Sequence, residues 1–153
     1  MIIDRPAGEV FDYLSDPAEA QTWRADLVES SATPPAPVKP GMVRHEVAMV
    51  MGRRIATDTI VDTVTATGFT FSHADGVLPM SGEVACTPGP QGTIVAYTVH
   101  LELHGRWVMF ARYLRRSGDL TMALSLANLR RNLEAPARRV NAIWEAELAG
   151  RVA

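Results

Sequence analysis

A single cysteine, Cys86, stands in the 153 residues, so no internal disulfide can form and the fold must rest on its core. At this length that is no obstacle, because a chain of this size buries most of its surface without covalent staples. Long hydrophobic runs are missing too, and none approaches the ~20 residues of a membrane-spanning helix. The N-terminus carries no basic stretch followed by an apolar run and cleavage site, so no secretory signal is expected. With the lone cysteine, this points to a cytoplasmic protein. There is no Walker loop, dinucleotide fingerprint or metal-ligand spacing, and neither cofactor nor metal is expected. His100 and His104, four residues apart on one strand with Glu102 between them, are too far apart to share an ion. A net charge of only −2 gives no overall field for nucleic acid.

What is present is ordinary for a globular domain: 47% hydrophobic residues, 21% charged and a mean hydropathy of +0.02. The length favours one domain. Charge is unevenly spread. Residues 1–104 carry 13 acids against 6 basic residues, whereas residues 105–153 carry 9 arginines against 4 acids. The basic C-terminal part is either a solvated helix face or a patch for an acidic partner, anionic lipid or nucleic acid.

Met1-Ile2-Ile3 can form only a short strand. Pro6 suits a helix start, and Ala7, Val10, Phe11 and Leu14 follow at i, i+3, i+4, i+7. Asp16, Pro17 and Glu19 open a second helix reaching Trp23. A strand is expected over 26–32. Residues 33–41 hold four prolines and a glycine, which reads as a stiff loop. From Met42 to His104 the pattern is β: Val43–Met51, Arg54–Thr65, Phe69–His73, Met80–Thr87 and Thr93–His104, with turns at Gly52-Arg53 and Pro88 to Gly92. Trp107–Arg116 reads as helix, and Ser117-Gly118-Asp119 as a kink or new start. Met122, Leu126, Leu129 and Leu133 then form an apolar stripe, while Thr121, Ser125, Asn128 and Asn132 repeat its spacing on the opposite face. Pro136 should end this helix, and Val140, Ile143 and Trp144 suggest a further short one over 137–150. The fold class expected is α+β, an antiparallel sheet of six to seven strands covered by the long helix. The domain spans 1–136 and an extension 137–153.

The stretch Arg5-Pro6-Ala7-Gly8-Glu9-Val10-Phe11-Asp12-Tyr13-Leu14-Ser15-Asp16-Pro17, with Trp23, is similar to the opening of START-like, Bet v 1-type helix-grip proteins. It resembles in particular the polyketide cyclase/dehydrase and lipid-transport group (SRPBCC). The long strand after a Gly-rich turn and the Arg-rich closing helix resemble that group as well. The resemblance covers residues 1–135. It implies a sheet wrapped around the C-terminal helix and an internal ligand cavity, with functions ranging from lipid carriers to aromatase/cyclases. The first strand is shorter than the family usually shows, which leaves one sheet edge in question.

Strand alternation assigns the cavity lining. If Arg44 and Glu46 face water, then His45, Val47, Met49 and Met51 face in. Asp58 and Asp62 outward put Ile55, Thr57, Thr59 and Val61 inward. Phe69, Phe71 and His73 share a face; so do Met80, Val84 and Cys86; so do Val95, Tyr97, Val99, Leu101 and Leu103. The set is apolar and methionine-rich with a few polar groups, the chemistry of a small-molecule site. Trp107, Phe110 and Tyr113 should line or gate the mouth, residues 75–79 form a lid, and Met122 and Leu126 complete the helix side. His45, His73 and Tyr97 are the acid–base candidates. Cys86, without a basic neighbour in sequence, reads as a buried thiol. Three functions follow as expectations. One is a carrier of a hydrophobic small molecule such as a lipid, quinone or polyketide. Another is a cyclase or dehydratase using His45, His73 or Tyr97, and the third is an interaction module docking through its arginines. A monomer or a homodimer is equally compatible.

Overall fold

Two short helices follow the first strand because local chemistry starts each of them. Pro6 precedes α1 (Ala7–Ser15), which buries Val10, Phe11 and Leu14 on one face. Asp16 caps α2 (Pro17–Trp23) by accepting the Ala18 amide at 2.8 Å. The computed structural model describes residues 1–135. Its strands are β1 (Ile2–Ile3), β2 (Leu27–Thr33), β3 (Val43–Val50), β4 (Arg53–Thr65), β5 (Gly68–Gly76), β6 (Met80–Gly89) and β7 (Gly92–Leu101). They form one antiparallel sheet in the order β1-β7-β6-β5-β4-β3-β2. A 3₁₀ segment, Gly105–Phe110, leads into α3 (Ala111–Glu134).

Two turns set the register. The β3–β4 hairpin turns on Met51 and Gly52, both at positive φ (51° and 73°), the combination of a two-residue I′ turn. It lies one residue before the expected Gly52-Arg53. Gly92, at φ 114°, lets β7 pass so close to β1 that a Cβ would collide with the Ile3 carbonyl oxygen. The short β1 pairs with Thr93 and Ile94 of β7 and so covers only the start of that edge.

The helical end differs from the sequence reading in two respects. Ser117-Gly118-Asp119 does not interrupt α3. A mid-helix glycine costs about 1 kcal/mol against alanine, too little to break a helix anchored by buried Leu114 before it and Ser125 and Leu129 after it. The polar stripe is also not opposite the apolar one. Residues one position back are turned by about 100°, not 180°, which brings this stripe against α2. Ser125 Oγ accepts the Ala25 amide at 2.9 Å, and Asn128 and Asn132 donate to the Trp23 and Thr22 carbonyls. The expected stop at Pro136, the helix over 137–150 and the extension 137–153 lie outside the described residues.

The core gathers Ile3, Val10, Leu14, Trp23, Val61, Cys86, Leu129 and Leu133, all almost without solvent exposure. It fills the space between the sheet and the C-terminal half of α3. Opposite the N-terminal half, the space stays open.

Candidate functional site

That open space is a cavity of about 740 Å³, within the range of small-molecule pockets. Its sheet wall is apolar, from Ile55, Phe71, Met80, Val99 and Leu101, and Met122 closes it from α3. Phe71 lies over Gly82, its cross-strand neighbour, where a Cβ would strike the Phe71 ring. The missing side chain lets the ring lie against the sheet and keeps the cavity open. Leu78, from the short connection after β5, is buried at one side of the cavity.

One end of the cavity is polar. Arg24 follows α2 and holds Asp26 in a two-pronged pair, Nε to Oδ1 at 3.0 Å and Nη2 to Oδ2 at 2.9 Å. Its third nitrogen reaches Glu46 Oε2 at 3.4 Å. Arg44 donates to Glu46 Oε1 at 3.2 Å and to the Ser15 carbonyl at 3.3 Å, and its guanidinium stacks 5.5 Å over the Phe69 ring. Two arginines and two carboxylates thus form a balanced tetrad in the wall. Burial alone would raise the Asp26 pKa, but the hydrogen bonds and charge of Arg24 outweigh it and hold the carboxyl below its ordinary value. Burial would likewise ease the proton off Arg24, yet Glu46, Tyr97 and Asp26 keep it firmly cationic.

Tyr97 stands beside the tetrad, edge-on to Trp23 at 6.2 Å and tilted against Phe71 at 6.4 Å. Burial pushes its pKa up, against the opposing charges of Arg24 and Arg44. The phenol is therefore neutral near pH 7, a hydrogen-bond donor and not a base. The arrangement can receive a molecule with a hydrophobic body and an oxygen-bearing end, the oxygen meeting Tyr97 and the polar wall. Among the described residues no three His, Cys, Asp or Glu side chains are grouped to hold a metal ion.

Of the residues expected at the site, Tyr97, Thr57, Thr59, Phe71, Met80, Val99 and Met122 line the cavity, and Met49, Met51 and Tyr113 border it. Others do not. His45 lies on the outer face, bridging Asp58 at 3.0 Å and Thr33 at 3.3 Å, and Val47 shares a shallow outer groove with it. His73 pairs with Thr59 and so shares its face, but it stays out of the lining, its Nδ1 buried without a partner. Cys86 is sealed in the core, and burial pushes its thiol up to about 11. Leu126 packs on the core cluster. Trp107 and Phe110 sit in the 3₁₀ segment, outside the lining, and Phe110 is exposed.

Sequence reasoning misses the tetrad because it gives β3 the wrong phase. Arg44 and Glu46 face inward, Arg44 opposite Thr59 and Glu46 opposite Thr57. Reading charged side chains as a solvent-facing mark fails where the charges are paired. The sequence does hold the signal. In a two-residue hairpin between 43–51 and 54–65, the even positions of β3 face the odd positions of β4. Thr57 and Thr59 inward then require Arg44 and Glu46 inward.

Similar solved structures share this architecture. Protein TTHA0849 from Thermus thermophilus has a TM-score of 0.69 at 19% identity, over 93% of this chain and 94% of that one. Ara h 8.0201 has 0.57 at 12%, over 84% and 93%. The di-domain ARO/CYC StfQ from the steffimycin biosynthetic pathway has 0.68 at 12%, over 85% of this chain and 48% of that one. At such identities the likeness establishes the fold, the helix-grip fold of Bet v 1-type proteins. Residues 1–134 match the model of the polyketide cyclase / dehydrase and lipid transport family, and the chain belongs to that family. No curated protein is similar in sequence. No described helix is long and apolar enough to cross a membrane.

Proposed function

We propose that this protein binds a hydrophobic small molecule with an oxygen-bearing end, of lipid, quinone or polyketide type, in the cavity between sheet and α3. The observation that carries the reading is the cavity itself: about 740 Å³, apolar along the sheet and polar at the Arg24–Asp26–Glu46–Arg44 end. A ligand's apolar body gains about 25 cal/mol for each Å² it removes from water, and the polar end fixes its orientation. Binding is favoured over catalysis because both carboxylates at this end are held by arginines, leaving neither as a free base.

A second reading, a cyclase or dehydratase, draws support from Tyr97. A neutral phenol donating to a carbonyl oxygen polarises it and stabilises charge developing there. The StfQ likeness is consistent with such chemistry. The test is displacement of a fluorescent naphthalene sulfonate from the protein by a long-chain fatty acid, a benzoquinone with an alkyl tail and an aromatic polyketide. Displacement by at least one class is expected. Tyr97→Phe then separates the readings: a carrier keeps its affinity within a few fold, whereas an enzyme given a linear polyketone loses turnover while still binding it. No displacement by any class would sink both.

A further inference from the structure

We propose that the segment 106–124 is a docking surface for an anionic lipid bilayer. Its 3₁₀ segment places Val108, Met109 and Phe110 in solvent, with Met109 84% exposed. On α3 an outward stripe adds Tyr113, Leu120 and Leu124, each more than half exposed and spaced at i, i+7, i+11 on one helical face. Six large apolar side chains exposed within one short segment of chain are more than scattered exposure explains, and such concentrations mark interaction sites. Arg106, Arg112, Arg115 and Arg116 are exposed in the same segment, with no acid between residues 106 and 116 and Asp119 following.

This pairing of apolar side chains with an arginine fringe chooses the partner. A second copy would bring four arginines against four, and like charges face to face oppose a self-complementary contact. Side chains this exposed also offer no groove for a peptide. A bilayer with anionic headgroups satisfies both features: the apolar side chains enter the headgroup–acyl boundary while the arginines reach the phosphates. Tyr113 and Arg115 belong both to this surface and to the cavity border, so a docked protein would present its mouth to the lipid. That last point alone rests on the cavity reading; the surface stands without it.

The test is flotation of the full chain with vesicles of phosphatidylcholine, with and without phosphatidylglycerol. Binding is expected on the anionic vesicles, at least about tenfold tighter than on neutral ones, and weakening with added salt. Met109→Glu should lower it about tenfold, and Arg112→Glu with Arg116→Glu should remove the preference for anionic lipid. All three positions are exposed, and unchanged thermal melting confirms that the variants fold. Absence of vesicle binding, or binding indifferent to Met109→Glu, overturns the proposal. A dimer in solution that Met109→Glu dissociates, without vesicle binding, overturns it in favour of a self-interface. Cavity-filling Met122→Trp separates this idea from the cavity reading, since it should abolish ligand uptake and leave flotation unchanged.

Discussion

The two ends of α3 face the same sheet and do opposite things. At the C-terminal end, Leu129 and Leu133 are fully buried in the core cluster with residues of α1, β1 and the sheet, and Ser125, Asn128 and Asn132 bolt the helix to the residues around α2. At the N-terminal end, Leu114 is buried, Met122 borders a cavity, and Leu120 and Leu124 look into solvent. One end serves stability and the other is left open. The fold therefore does not require the open end to be filled, and its lining is free to serve a ligand.

The contrast predicts unequal costs for similar truncations. Leu129→Ala should destabilise by about 3 kcal/mol, while Met122→Ala, which only enlarges an existing cavity, should cost less than about 1 kcal/mol. Urea unfolding measures both, and equal costs would erase the distinction between the ends. Arg44→Met should come next, at about 2 kcal/mol, because it leaves Glu46 with only Arg24 in a wall where both side chains are mostly buried. Adding Glu46→Gln should recover part of that loss by restoring the balance of charge.

The polar end of the cavity should also respond to pH. The folded Asp26 carboxyl lies below its ordinary 3.8, so its contribution is complete above that value and lost as pH falls through the lowered one. Asp26→Asn should therefore be less stable than wild type at neutral pH, with the gap closing in strong acid. A gap independent of pH would mean that Arg24 does not hold the carboxylate. The smallest effect carries the opposite sign. Gly118→Ala on the open half of α3 meets no atom within 4 Å and should stabilise by about 0.7 kcal/mol in thermal melts.

The fold is legible in the sequence because its signals are local or periodic. Pro6 and Asp16 mark helix starts, glycines mark turns, and the Leu126–Leu129–Leu133 stripe marks the covered face. The cavity's apolar wall is legible for the same reason, since alternation on β4, β6 and β7 is unambiguous. The polar end is not, because Arg24 and Asp26 come from the chain after α2 and meet Glu46 only in three dimensions. On β3 alternation alone cannot tell paired charges from solvated ones; only the register with β4 does. The same phase error misplaces His45. The exposed tip at Met109 is hidden from sequence reasoning because a 3₁₀ turn and a helix share composition but aim their side chains differently.

Native mass spectrometry shows whether the space beside the N-terminal half of α3 is a binding site. The protein, unfolded, stripped of bound molecules and refolded, is incubated with the fatty acid, quinone and polyketide probes. One equivalent of one class should be retained in the gas phase, released on denaturation and absent from Met122→Trp. No retained mass in the wild type, or the same mass retained by wild type and Met122→Trp, would contradict a binding site there.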